Sequence, residues 1–202
     1  MSNYRPAGFW IRTLASFLDV AILWMPLTLL VLYVSGAPNL ADLIYRALLG
    51  IIIWWVPGAF FTTLVYGPWF ISKTGATLGK YFSGLKVTND DGQNLTYKRA
   101  FFRQNIGYTF SGSLFGLGFL AIAKDPEKLG WHDKATGSRV WVVRTLWPLA
   151  LLVLTVLLAI QGYFWSQTIK QITTSPIAKE VTQLFRTAPP EKTYPVPSYP
   201  IQ

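Results

Sequence analysis

Arg12 and Asp19 are full charges inside an apolar run that reads F-W-I-R-T-L-A-S-F-L-D-V-A-I-L-W-M-P-L-T-L-L-V-L-Y from Phe9 to Tyr33. On a helix this spacing is about two turns, so the two groups share one face with roughly 10 Å between them along the axis. A bilayer takes about 20 apolar residues to cross, and this run is long enough. With Trp10 at the interface, Asp19 falls near the midplane, where a carboxylate costs about 2.5–3.5 kcal/mol on insertion scales. A charge at that depth needs a partner, and it is a candidate carrier of a proton or a cation. His132 and Asp133 are the second candidate pair. Either one can exchange protons with Asp19 or neutralise Arg12, and the plainer alternative is an acid that caps a turn or binds an interfacial Arg. The last candidate is a backbone group. Pro57 has no N–H to take up the carbonyl of Ile53, which leaves that oxygen for an ion, water or a neighbouring helix, a packed kink being the commoner outcome.

These residues exclude more chemistry than they suggest. With a single His and no Cys, no His/Cys metal cluster, disulfide or thiolate chemistry is available. No nucleophile elbow or base-activated Ser is present. Gly75-Ala76-Thr77-Leu78-Gly79-Lys80 resembles a phosphate loop but places too few residues between its glycines and has Tyr81 after the Lys. The expectation is a protein that is not an enzyme and holds no cofactor.

The elements that position these groups are membrane elements. Hydrophobic residues make up 51% of the chain and charged residues 13%, with the apolar residues in blocks, the pattern of a polytopic membrane protein. Nine Trp and ten Tyr suit two wetted interfaces. The net charge of +9 comes from residues flanking the apolar runs; it reads as orientation in a membrane and not as a nucleic-acid surface. Small residues at Ser35-Gly36-Ala37 imitate a cleavage site, but the apolar core before them is too long for a secretory signal and Pro38 follows. The run reads as an uncleaved anchor.

The expected fold is a mainly α membrane protein with about three transmembrane helices, a glycine-rich re-entrant or fourth membrane helix, and a small cytoplasmic β-hairpin or strand element. A membrane domain covers 5–143, with helices at about 9–34 and 40–70 and a membrane-dipping segment at 106–123. Gly112 and Gly116 in that segment form a G-x-x-x-G that permits close helix approach. The basic loops on both sides of 106–123 favour re-entrance, and a strand at 139–143 can pair with Leu85 to Asn89 only from the same side. Asp91-Gly92 predicts a hairpin returning through Gln93 to Thr96. A further transmembrane helix covers 146–165, and 166–202 is a polar, Pro-rich and largely disordered tail with a short amphipathic helix from Pro176 to Arg186.

Several short stretches in order carry a resemblance: Pro6-Ala7-Gly8-Phe9-Trp10-Ile11-Arg12, Asp19, Thr77-Leu78-Gly79-Lys80 with Gly84-Leu85-Lys86-Val87, and His132-Asp133-Lys134 with Thr136-Gly137 and Val140. Together they resemble the RDD family of prokaryotic membrane proteins, named for one Arg and two Asp, which match Arg12, Asp19 and Asp133. The resemblance implies a multi-pass protein of the bacterial inner membrane, and some members are associated with sodium/proton antiport. The expected function is therefore proton-coupled transport of a small cation or solute, with Arg12, Asp19, His132 and Asp133 as the pathway or buried charge network and the Ile53 carbonyl as a possible ligand. The alternative is a non-catalytic membrane accessory or scaffold protein whose buried charges are structural. The expected partners are the lipid bilayer, further copies of the chain in a homo-oligomer, and a proton or small cation, with no nucleic acid. The short basic N-terminus is expected to be cytoplasmic.

Overall fold

The long apolar runs of the sequence form helices in the computed structural model, which describes residues 4–187. In chain order the elements are β1 (Arg5–Pro6), α1 (Phe9–Ser35), α2 (Leu40–Thr74), α3 (Leu78–Phe82), β2 (Leu85–Asn89), α4 (Tyr97–Ser113), α5 (Leu117–Lys124), α6 (Trp131–Thr136), β3 (Ser138–Val142), α7 (Trp147–Thr174) and α8 (Pro176–Thr187). Three of these, α1, α2 and α7, are long and apolar enough to cross a membrane. The chain is a multi-pass, mainly α membrane protein.

Local chemistry explains where the spans start and stop. Asn39 caps α2, its side chain accepting from the Asp42 amide at 2.9 Å. At the other end Gly75 takes φ 80° and its amide closes on the Ile71 carbonyl at 3.0 Å, a left-handed stop that favours glycine. Inside α2 two turns widen to i→i+5 pairing, at Ile51–Trp55 and Phe61–Tyr66. Each comes just before a proline, Pro57 or Pro68. A widened turn re-routes carbonyls that the missing proline N–H would otherwise leave unpaired. The carbonyl of Leu64, four residues before Pro68, accepts the Tyr97 hydroxyl at 3.1 Å, and the Thr63 carbonyl accepts Asn105 Nδ2 at 3.1 Å. These bonds tie α2 to α4.

α1 is the central helix. It packs along α7, where Gln161 Nε2 donates to the Ala21 carbonyl at 2.6 Å from a buried position. It also packs against the short α3, and α2 comes in closely because Gly50 leaves no side chain between it and Leu30.

The sheet is three-stranded and antiparallel in the order β1-β3-β2, with Leu85 opposite Val142 and Asn89 opposite Ser138. Its inward residues Leu85, Val87, Val140 and Val142 join Ala7, Ala15, Ile71, Leu95 and Ala100 in a small buried core. The turn at Asp91-Gly92 is present, with the Asn89 amide donating to Gln93 at 2.9 Å, but residues 93–96 do not return as a strand. Their place beside β2 is taken by β3, whose alternating Val residues supply a better buried face. β1 was not legible as a strand, since two residues carry no periodicity.

α4 and α5 meet at 90° across Leu114-Phe115-Gly116. The pairing of β2, before this pair, with β3, after it, brings both ends of the segment to one sheet, the arrangement a re-entrant hairpin requires. Phe115 at its tip is fully exposed with φ 50°, and Gly116 follows at φ 78°. The expected G-x-x-x-G contact is not made. A Cβ at Gly116 would meet nothing within 4 Å and one at Gly112 only Phe119 at 3.8 Å, while the close approach falls at Gly118, where a Cβ would lie 2.6 Å from Ser111 Cα. The G-x-x-x-G spacing assumes a continuous helix, and the turn at Gly116 breaks it. α7 continues beyond Trp165 to Thr174, so the tail expected from residue 166 begins as helix, and the short amphipathic helix expected from Pro176 is present as α8. The remainder of that tail, 188–202, lies outside the described residues.

Candidate functional site

Two carboxylates, Asp133 fully buried and Asp19 partly buried, organise the sheet side of the molecule. Asp133 stands third in α6, and its Oδ2 reaches back to the Gly130 amide at 3.0 Å, the reciprocal half of a capping box. That same oxygen accepts Arg12 Nη1 at 2.6 Å. Oδ1 accepts Arg103 Nη2 at 2.7 Å and lies 3.4 Å from Ser138 Oγ. Asp133 is wholly buried, and the side chains of Arg12 and Arg103 are 9% and 1% exposed. Arg12 is completed by the Ala7 carbonyl at 2.8 Å and the Lys128 carbonyl at 2.6 Å. Arg103 is completed by Ser138 Oγ at 3.0 Å and the Tyr108 hydroxyl at 3.2 Å. The carboxylate thus joins α1, α4, α6 and the start of β3. Burial alone would raise its pKa, but the Arg103 and Arg12 charges outweigh burial and hold it below the ordinary carboxylate range.

His132 lies against the same cluster without sharing its charge. Its Nδ1 is 3.1 Å from Ser111 Oγ and its Nε2 is 3.5 Å from Asp133 Oδ1. The rings of Tyr108 and Phe119 flank it at 4.7 and 5.1 Å. Gly107 admits it, since a Cβ there would come 2.9 Å from His132 Cβ. Burial first, then the Arg103 charge, push the imidazole pKa down to about 3. It is neutral at physiological pH.

Asp19 occupies a different pocket on the same helix. Oδ1 accepts the Gly79 amide at 2.6 Å and the Tyr66 hydroxyl at 2.7 Å, and Oδ2 accepts Thr77 Oγ1 at 2.6 Å. Lys80 Nζ stands 3.7 Å from Oδ2 and 3.3 Å from Thr77 Oγ1. This is longer than the 2.7–2.9 Å typical of a charge-assisted N–H···O bond, and the Asp19 side chain keeps 13% exposure. The close fit depends on one glycine, because a Cβ at Gly79 would fall 2.1 Å from the Ala15 carbonyl and 2.7 Å from Asp19 Oδ1. The stretch that fails as a nucleotide phosphate loop still cradles an anion, and the anion is the chain's own carboxylate.

A model of the RDD family matches residues 6–137. The chain belongs to the RDD family. The match takes in both carboxylate sites and stops before α7, which adds the Gln161 contact to α1 from outside it. Among curated relatives, the Bacillus subtilis (strain 168) protein named "Uncharacterized protein YxaI" is 34% identical over 149 residues, covering 67% of this chain and 97% of its own length. The same organism's "Uncharacterized protein YckC" is 30% identical over 145 residues, covering 69% of this chain and 87% of its own length. No solved structure matches the chain.

Of the residues expected to act together, the structure joins Arg12, His132 and Asp133 and sets Asp19 apart. Ile53 joins neither site. It is 57% exposed on the outer face of α2, and among the described residues no side chain donates to its carbonyl. The proline carbonyl that does take a side-chain partner is that of Leu64. Arg103, Tyr66, Thr77 and Lys80 were not singled out as site residues in the sequence. Thr77 and Lys80 stood in the motif that carried the family resemblance. Arg103 was visible only as one of many basic loop residues, and Tyr66 as an interfacial aromatic.

Proposed function

We propose that this RDD protein exchanges a proton for a small cation at the pocket formed by Asp19, Tyr66, Thr77 and Lys80, while the Arg12–Asp133–Arg103 cluster is a fixed structural joint. The observation that carries this reading is the contrast between the two carboxylates. Asp133 is gripped by two guanidinium groups, which do not deprotonate in proteins. Asp19 faces hydroxyl oxygens at 2.6 and 2.7 Å, and the one cation beside it, Lys80, stands off at 3.7 Å. A carboxylate beside two hydroxyl oxygens is an all-oxygen donor set suited to a hard monovalent cation. The basic loops on the sheet side favour a cytoplasmic position for that side and the N-terminus, in a bacterial inner membrane. Three spans and a hairpin enclose little of a path, so the active form is a homo-oligomer.

A second reading rests on the same pocket. Both oxygens of Asp19 already accept hydrogen bonds, as in a structural charge of an accessory or scaffold protein. Proton-coupled sodium flux in proteoliposomes of Asp19→Asn separates the two. The transport reading expects a folded, monodisperse variant with no flux. Intact flux removes Asp19 from any transport mechanism. Loss of folded yield in Asp19→Asn, with wild-type flux in Tyr66→Phe, supports the structural reading.

A further inference from the structure

We propose that the groove between the first arm of the re-entrant hairpin and the end of α6 binds one anionic phospholipid. The groove, of about 460 Å³, is lined by Lys98, Arg99, Phe102, Ile106 and Phe110 on α4 and by Ala135, Thr136 and Gly137 opposite. That volume lies within the usual range for small-molecule sites.

Its polarity is ordered along α4. Lys98, Phe102, Ile106 and Phe110 recur every four residues down one face of α4, with Arg99 beside the first. The cations sit where the chain leaves the sheet and enters the hairpin. The apolar stripe then runs inward for roughly 12 Å at 1.5 Å per residue. A phospholipid has this arrangement, with a phosphate at the interface and an acyl chain below it. The facing wall consists of small residues, which leave room for a chain beside the aromatic rings.

The charge is also available. Among the described residues Lys98 and Arg99 make no ion pair and no side-chain hydrogen bond, and no carboxylate lines the groove. Arg103, one turn further, is instead buried and committed to Asp133. Two adjacent unpaired cations over an apolar slot favour a lipid of net negative charge over a zwitterionic one, because the ammonium of the latter would meet them.

The test is native mass spectrometry of the full chain in detergent, titrated with phosphatidylglycerol or phosphatidylcholine. Wild type is expected to retain phosphatidylglycerol at least about tenfold more tightly. Lys98→Gln with Arg99→Gln is expected to weaken it about thirtyfold, from about 1 kcal/mol per basic group. Lys73→Gln with Lys124→Gln, exposed cations outside the groove, is expected to change nothing. Ile106→Trp keeps both cations but fills the slot, and is expected to lose the lipid. Equal retention of the two lipids, an equal loss in the Lys73/Lys124 variant, or full binding by Ile106→Trp would each overturn the proposal in favour of diffuse attraction to a basic face.

Discussion

Arg103 donates to Asp133 Oδ1 at 2.7 Å, which leaves Oδ2 to Arg12 at 2.6 Å, so one carboxylate answers two buried guanidinium groups. The cluster therefore carries one excess positive charge while His132 is neutral, and its members are not equivalent. Removing either Arg leaves a balanced pair. Removing Asp133 leaves two buried cations without an anion, and breaking a buried pair from one side costs about 3–5 kcal/mol. Asp133→Asn is expected to give the lowest folded yield of the three single variants, below Arg12→Gln and Arg103→Gln. Fluorescence-detected size exclusion of membrane extracts, compared across the three, checks the order.

Acid should loosen this joint from pH 6.5 downward. His132 has a folded pKa of about 3 against an unfolded value near 6.5, so below 6.5 the unfolded chain binds a proton that the folded chain refuses. Stability from this group is complete above pH 6.5 and is lost toward pH 3, at up to about 1.4 kcal/mol per pH unit. Asp133 adds to the loss as pH falls through the ordinary carboxylate range, where the unfolded chain takes up a proton that the folded one does not. His132→Gln is expected to lower the melting temperature at pH 7.5 and to flatten its fall between pH 6.5 and 4.5. Thermal melts of the purified protein in detergent across that range measure both effects. An unchanged slope in the variant would place the acid sensitivity elsewhere.

The spans were legible because apolar runs bounded by Gly, Pro and basic residues leave little choice in a bilayer. The β2–β3 pairing was legible too, from alternation in two short segments. The Arg12–Asp133 contact followed from an Arg near one end of the first span and an acid in a loop expected beside it. Arg103 was missed because one buried Arg among exposed basic residues has no sequence mark of its own; its partners are Tyr108 on its own helix and Asp133 and Ser138, which arrive from α6 and β3. The Asp19 pocket was missed for a related reason. Its ligands come from the end of α2 and from α3, and a search for partners in the other spans passes over a polar loop that folds back against α1. The Ile53 expectation treated Pro57 alone, whereas α2 handles its prolines with widened turns and hands the Leu64 carbonyl to Tyr97.

Gly79 lets α3 sit on α1, and its substitution tests how far the Asp19 pocket depends on that approach. An added Cβ would fall 2.1 Å from the Ala15 carbonyl, a backbone atom that cannot swing aside. Relief requires α3 to move out, which breaks the Gly79 amide bond to Asp19 and draws Thr77 and Lys80 with it. Overpacking of this kind costs about 1–3 kcal/mol, and loss of a hydrogen bond to a charged group adds about 1.5–3 kcal/mol. Gly79→Ala is expected to melt markedly lower than wild type. Gly58→Ala in α2, where a Cβ meets nothing within 4 Å, is expected to melt within about 1 kcal/mol of it. Parallel melts of the two variants test the comparison.

The sheet makes a topological demand that can be checked from outside the cell. β2 and β3 are paired residue by residue, and α4 and α5 lie between them in sequence. A strand pair cannot form across a bilayer, so the hairpin must return to the side it entered. α7 then crosses once and leaves α8 on the opposite side from the sheet. Because the chain has no Cys, single substitutions report without background. Asp91→Cys, before the hairpin, and Glu127→Cys, after it, are expected to react alike with a membrane-impermeant maleimide in sealed vesicles, both labelled or both protected. Lys179→Cys on α8 is expected to show the opposite behaviour, and permeabilised vesicles should label all three. Opposite labelling of Asp91→Cys and Glu127→Cys would mean a complete crossing by α4 and α5, which the β2–β3 register does not permit.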